Sequence, residues 1–167
     1  MSRPTPVSHR KDNLRKLFQQ MLRLMSIVQE GVHHFDSSLP INHNLTSLPT
    51  LKFRPSDLAA VKAKSTLSQL HSGLQSFQLH FDWLLYWHNQ SALMSDSIKK
   101  IANAIRSISI LKENQTDSPT QTTVLSLPPI TSAWDLHQTA AVVHKRLLVF
   151  CNWYIRALSV LISQANK

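Results

Sequence analysis

The sequence predicts an all-α fold: a four-helix bundle with up-up-down-down topology and two long crossover connections. Three observations predict it. Four stretches repeat their apolar residues at alternating steps of three and four, which lines them along one side of a helix. The chain contains only 2 Gly. The connections between the four stretches run long, short, long, and two of the three carry several prolines.

Residues 1–11 are polar and hold two prolines, and are expected to be disordered. Residues 12–167 form the single bundle domain, since 167 residues suit one core. The first helix is expected over 12–35, with Leu14, Leu17, Met21, Leu24, Val28, Val32 and Phe35 as its apolar stripe. Asp36 to Pro55 shows no sustained period and contains Pro40, Pro49 and Pro55, so it reads as a long connection.

Ser56 and Asp57 then cap a second helix over 57–87, whose stripe is Leu67, Leu70, Leu74, Phe77, Phe81 and Leu84. Gly73 falls inside it and costs up to about 1 kcal/mol relative to Ala, which the flanking periodicity should outweigh. His88 to Ser91 is a short turn. The third helix, over 92–113, carries Met94, Ile98, Ile101, Ile105, Ile108 and Leu111. Asn114 to Ile130 is polar, rich in Thr and broken by Pro119, Pro128 and Pro129.

The last helix starts at the N-cap Ser132 and runs to Ile162 with no Gly or Pro. Leu136, Ala140, Val143, Leu147, Phe150, Tyr154, Leu158 and Leu161 form its stripe. Asp135 suits the positive end of the helix dipole. Trp134 sits about 200° from Leu136, and Arg156 about 200° from Tyr154, so both point off the core.

Connection lengths decide the topology. At about 1.5 Å per residue the first helix is about 36 Å long and the last about 46 Å. An extended chain covers up to about 3.3–3.6 Å per residue, so each long connection can return along the bundle. The short turn forces the second and third helices antiparallel.

Charge speaks to partners. With 18 basic and 9 acidic residues the formal net charge is +9. The candidate polyanions are nucleic acid, sulfated polysaccharide, anionic membrane and an acidic receptor face. The basic residues are scattered and no aromatic-interleaved patch appears, which argues against nucleic acid. No uninterrupted apolar run is long enough to span a bilayer. The four stripes would satisfy one another, so membrane insertion is not expected. Met1 to Pro6 lacks the apolar core of a signal peptide, so the chain reads as cytosolic or as a mature form with an added Met.

Chemistry is sought and not found. The 9 His form no ligand set. Glu30-Gly31-Val32-His33 matches one Glu-x-x-His element of a di-iron bundle, but Glu30 and Glu113 are too few to complete it. His137 and His144 share a helix face without a third ligand. Cys151, the 1 Cys, reads as a small buried apolar residue. No Gly-rich phosphate loop is present. The chain is expected to be no enzyme and to hold no cofactor and no metal. Three Asn-x-Ser/Thr sequons, Asn44, Asn89 and Asn114, fall in or near the expected loops and are candidate glycosylation sites.

Two segments carry a resemblance: His43 to Leu51, read HNLTSLPTL, and Ser132-Ala133-Trp134 followed downstream by Trp153-Tyr154-Ile155-Arg156. Both resemble the interleukin-11 branch of the interleukin-6 family of four-helix cytokines. A similar histidine-to-Trp83 segment lies late in the second helix, and the near-absence of Cys and the proline-bearing last connection also fit. The resemblance implies a secreted ligand, monomeric when free, with three receptor surfaces. The first would take the interleukin-11 alpha receptor at Asn152, Trp153 and Arg156, although the family has an acidic residue where Asn152 stands. The second, on the first and third helices, would take glycoprotein 130. The third would take another glycoprotein 130 at Trp134. Two other readings remain: an intracellular helical adaptor, and a basic bundle that binds polyanions.

Overall fold

The computed structural model describes residues 6–32, 54–91, 96–113, 130 and 132–165. They form four α-helices: α1 (Pro6–Val32), α2 (Ala63–Ser91), α3 (Asp96–Glu113) and α4 (Ala133–Ala165). A 3-10 helix, Pro55–Ala60, precedes α2 and packs on α4. Among the described residues there is no strand.

The core is built from the expected stripes. Leu14, Leu17, Met21, Leu24 and Val28 of α1 are buried, as are Leu70, Leu74, Phe77, Phe81 and Leu84 of α2. Ile98, Ile101, Ile105 and Ile108 of α3 and all eight stripe residues of α4 are buried with them. Each Leu, Ile, Val, Phe or Met among them withdrawn from water contributes roughly 1.5–3 kcal/mol. Val32 and Leu67 lie half-buried at the margin.

Besides α4, which runs on to Ala165 rather than Ile162, three boundaries differ from expectation. α1 begins at Pro6 rather than Asp12, so residues 6–11, expected to be disordered, are helical. Proline suits a first helical position, where its missing N–H leaves nothing unsatisfied and its fixed φ fits the helix. The second helix is not continuous from 57. Arg54 is extended, the Asp57 N–H donates to the Arg54 carbonyl at 2.9 Å, and the 3-10 helix stops at Val61, itself extended with φ −68° and ψ 136°. The apolar stripe starts only at Leu67; before it Val61 and Ala63 pack partly against the core without a helical period. α2 also continues through the residues expected to turn, ending at Ser91.

The contacts between helices give their relative directions. Phe81 of α2 meets His144 of α4, with ring centroids 5.2 Å apart, and Phe77 meets Phe150 at 5.1 Å. Numbers rise along α2 as they fall along α4. Arg106 of α3 donates to Asp82 of α2 at 2.8 Å.

Gly31 marks a close junction. It is buried near the end of α1, and a β-carbon there would run into Ser97 Oγ of α3 and lie 3.1 Å from His144 Cδ2 of α4. Three helices therefore meet where one side chain is missing.

α4 is the most enclosed helix. Every residue from Thr139 to His144 is buried. Its mean hydropathy of 1.4 over an 18-residue window would suit a membrane span by length and composition alone. The buried run from Thr139 to His144 and the core stripe account for part of that composition, as in the core helix of a bundle.

Candidate functional site on helix α4

The start of α4 is fixed by its cap. The Asp135 N–H donates to Ser132 Oγ at 3.0 Å, and the Leu136 N–H donates to the Ser132 carbonyl at 3.0 Å. This satisfies donors that the first turn leaves open. Trp134, inside that turn, is 55% exposed, and its ring lies 6.2 Å from that of His137 at 31°. The cap thus holds a large aromatic group in solvent at a fixed height on the bundle.

Near the other end, Asn152 and Arg156 are exposed, one helical turn apart on the same side. Trp153, between them in sequence, is half-buried and packs against the core. Asn152 lies 18 residues beyond Trp134, about 27 Å along the axis and on the same side after five turns. From Leu136 to Leu148 no residue of α4 is exposed. The outer face of this helix is therefore divided into two patches by a covered middle.

Val149 belongs to the second patch and was not singled out from the sequence. It is 58% exposed, about one turn before Asn152 and Trp153. The signal was there to read: Val149 stands two residues after the stripe residue Leu147, as Arg156 stands after Tyr154. The charges on α4 are unequal, with Lys145, Arg146 and Arg156 against Asp135 alone. Of the three cations only Arg156 is exposed, so the distal patch pairs one exposed cation with the apolar Val149.

The groups considered for chemistry fall elsewhere. Among the described residues no three His, Cys, Asp or Glu gather as a metal site. Glu30 is exposed at the end of α1, and His33 lies outside the described residues. His137 is half-buried beside Trp134, whereas His144 is fully buried, so the shared helix face does not make a shared site. Ser97 Oγ and His144 Nε2 are 3.4 Å apart, but His144 is 0% exposed, so a substrate cannot reach the pair. Burial pushes the Cys151 thiol well above its usual range, which removes the thiolate a nucleophile needs. Of the sequons, Asn89 lies in the last turn of α2, while Asn44 and Asn114 lie outside the described residues. So does the His43–Leu51 segment.

The four packed helices, with Trp134 and Arg156 exposed on α4, form a helical bundle that presents recognition groups on its surface. The chain belongs to the interleukin 11 family, whose family model matches residues 4–165. That family consists of secreted signalling ligands, not enzymes. No curated protein matches the chain.

Proposed function

We infer that this chain is a secreted interleukin-11-like cytokine, a single domain that begins with α1, and that it acts by bridging receptors. Asn152, Trp153 and Arg156, with Val149 among them, bind the interleukin-11 alpha receptor. Trp134 contacts glycoprotein 130. The observation that carries the reading is the division of the outer face of α4 into two exposed patches about 27 Å apart. Two partners can then occupy one helix without excluding each other.

Trp and Arg are the side chains most often found as interface anchors, because each combines a large apolar area with directed donors. Their chemistry is recognition only. Signalling follows from holding receptor extracellular regions at a fixed spacing, which the packed core makes rigid.

The up-up-down-down arrangement belongs to this reading. The antiparallel contacts of α2 with α4, and the meeting of the end of α1 with the start of α3, support it. The net charge of +9 adds a sulfated polysaccharide as an accessory partner. Asn44, Asn89 and Asn114 are the proposed glycan acceptors.

The test is binding to the alpha receptor immobilised on a surface, followed by addition of soluble glycoprotein 130. Saturable binding of the chain, and retention of glycoprotein 130 only when the chain is present, is the expected result. Absence of binding at micromolar concentration would overturn the reading.

A further inference from the structure

We propose that His137 is a positioning residue for Trp134: its ring, one helical turn further along α4, fixes the indole in the orientation that the signalling receptor meets. The proposal rests on the assignment of Trp134 to glycoprotein 130 and adds the residue through which that indole is oriented.

A tryptophan at this place needs support. α4 begins at Ala133, so Trp134 is its second residue. A helical side chain leans toward the N-terminus and lies over the turn before its own. Within α4, Trp134 has no earlier turn to lean on. The backbone beneath it is fixed, with the Asp135 N–H donating to Ser132 Oγ at 3.0 Å. That cap sets where the side chain leaves the helix. It does not choose among the staggered rotamers of the side chain itself.

His137 supplies what the absent turn does not. It stands three residues on, a spacing that makes neighbours on a helix surface. By the same lean its side chain reaches back over the first turn. The two ring centroids lie 6.2 Å apart and the planes are tilted by 31°, within the range of aromatic contacts. The residue four on from Trp134 is Gln138, which has no ring to lay against an indole. His137 is half-buried, whereas Trp134 is 55% exposed. One ring is thus seated on the bundle, and the other is presented beyond it.

The consequence lies in binding. An indole free to change rotamer must be ordered when a partner closes on it. Fixing one side chain at an interface costs roughly two- to tenfold in affinity, and a tryptophan, with two torsions, lies toward the lower end. A neighbour that orders the ring beforehand removes that cost. His137 therefore acts on receptor affinity through Trp134, without carrying the bundle's stability.

The test compares the unsubstituted chain with His137→Ala, His137→Phe and Trp134→Ala. Each is captured on immobilised alpha receptor and titrated with soluble glycoprotein 130, and thermal unfolding is followed alongside. NMR of the free proteins reads the Trp134 side-chain couplings and cross-relaxation between the rings of residues 134 and 137. In His137→Ala, affinity for glycoprotein 130 should fall roughly two- to fivefold, with alpha-receptor affinity and thermal stability unchanged. The Trp134 couplings should move toward rotamer averaging in the same variant. His137→Phe, which keeps a ring at this position, should restore both. Full affinity in His137→Ala, with recruitment lost in Trp134→Ala, would overturn the positioning role and leave the Trp134 assignment standing. Recruitment retained in Trp134→Ala would overturn that assignment and this proposal with it. Weakened recruitment in His137→Ala with unchanged Trp134 couplings would make His137 a direct contact and also overturn the proposal. If His137→Ala fails to fold, the unsubstituted chain decides: one Trp134 rotamer in contact with His137 supports the proposal, and an averaged indole overturns it.

Discussion

The Phe150 ring of α4 lies directly over Gly73 of α2, in the space a β-carbon would occupy. The ring is itself fixed, with Phe77 at 5.1 Å on one side and Tyr154 at 4.6 Å on another. The glycine that looked like a local defect in a helix is the condition for close approach of two helices.

Gly73→Ala should therefore destabilise the protein, although Ala favours a helix by about 1 kcal/mol over Gly. The new β-carbon would stand 2.7 Å from Phe150 Cζ and closer still to Cε2. Overpacking of this kind costs about 1–3 kcal/mol, and a net loss of about 1–2 kcal/mol is expected in chemical denaturation. A stability equal to or above that of the unsubstituted chain would contradict the packing argument.

Cys151 should be inert in the folded protein. It is 0% exposed, and burial raises its thiol far above neutral pH. A thiol-specific reagent at pH 8 should label it on the order of 10³-fold more slowly than in denaturant, because reaction requires opening of the core. Comparable labelling rates in the two conditions would show that α4 is less enclosed than described.

Trp134→Ala should leave the fold and alpha-receptor binding intact while abolishing cellular signalling. The side chain is 55% exposed, so its loss should change stability by less than about 0.5 kcal/mol. Thermal unfolding, receptor binding and a reporter assay check the three parts separately. Reduced alpha-receptor affinity would argue that the two ends of α4 do not serve different partners.

Arg156→Ala should weaken alpha-receptor binding by at least about 1 kcal/mol, roughly fivefold, at unchanged thermal stability. The residue is exposed, so truncation leaves no buried gap. An unchanged dissociation constant would remove Arg156 from the interface. Val149→Ala, on the same patch, offers a comparison in which apolar area is lost without charge.

Much of the fold was legible in the sequence because burial in a bundle is periodic. Leu136 through Leu161 could be read as one buried line, and Trp134 and Arg156 as residues off it, from angle alone. The break at Val61 was less legible, since the residues before Leu67 carry no stripe and local turn geometry decided their path. The helical start at Pro6 was missed because a polar, proline-bearing stretch reads the same whether it begins a helix or precedes one.

The sequence by itself determined that the chain is helical, which side of each helix is buried, and which groups on α4 face outward. Its two named segments also pointed to the interleukin-11 branch. Only the tertiary structure decided which residues meet. That Phe150 needs Gly73, that Ser97 stands between Gly31 and His144, and that two histidines sit at 0% exposure depend on the rotation and approach of separate helices. Periodicity fixes the face of one helix, whereas the contacts across the bundle are set by the packing of all four at once.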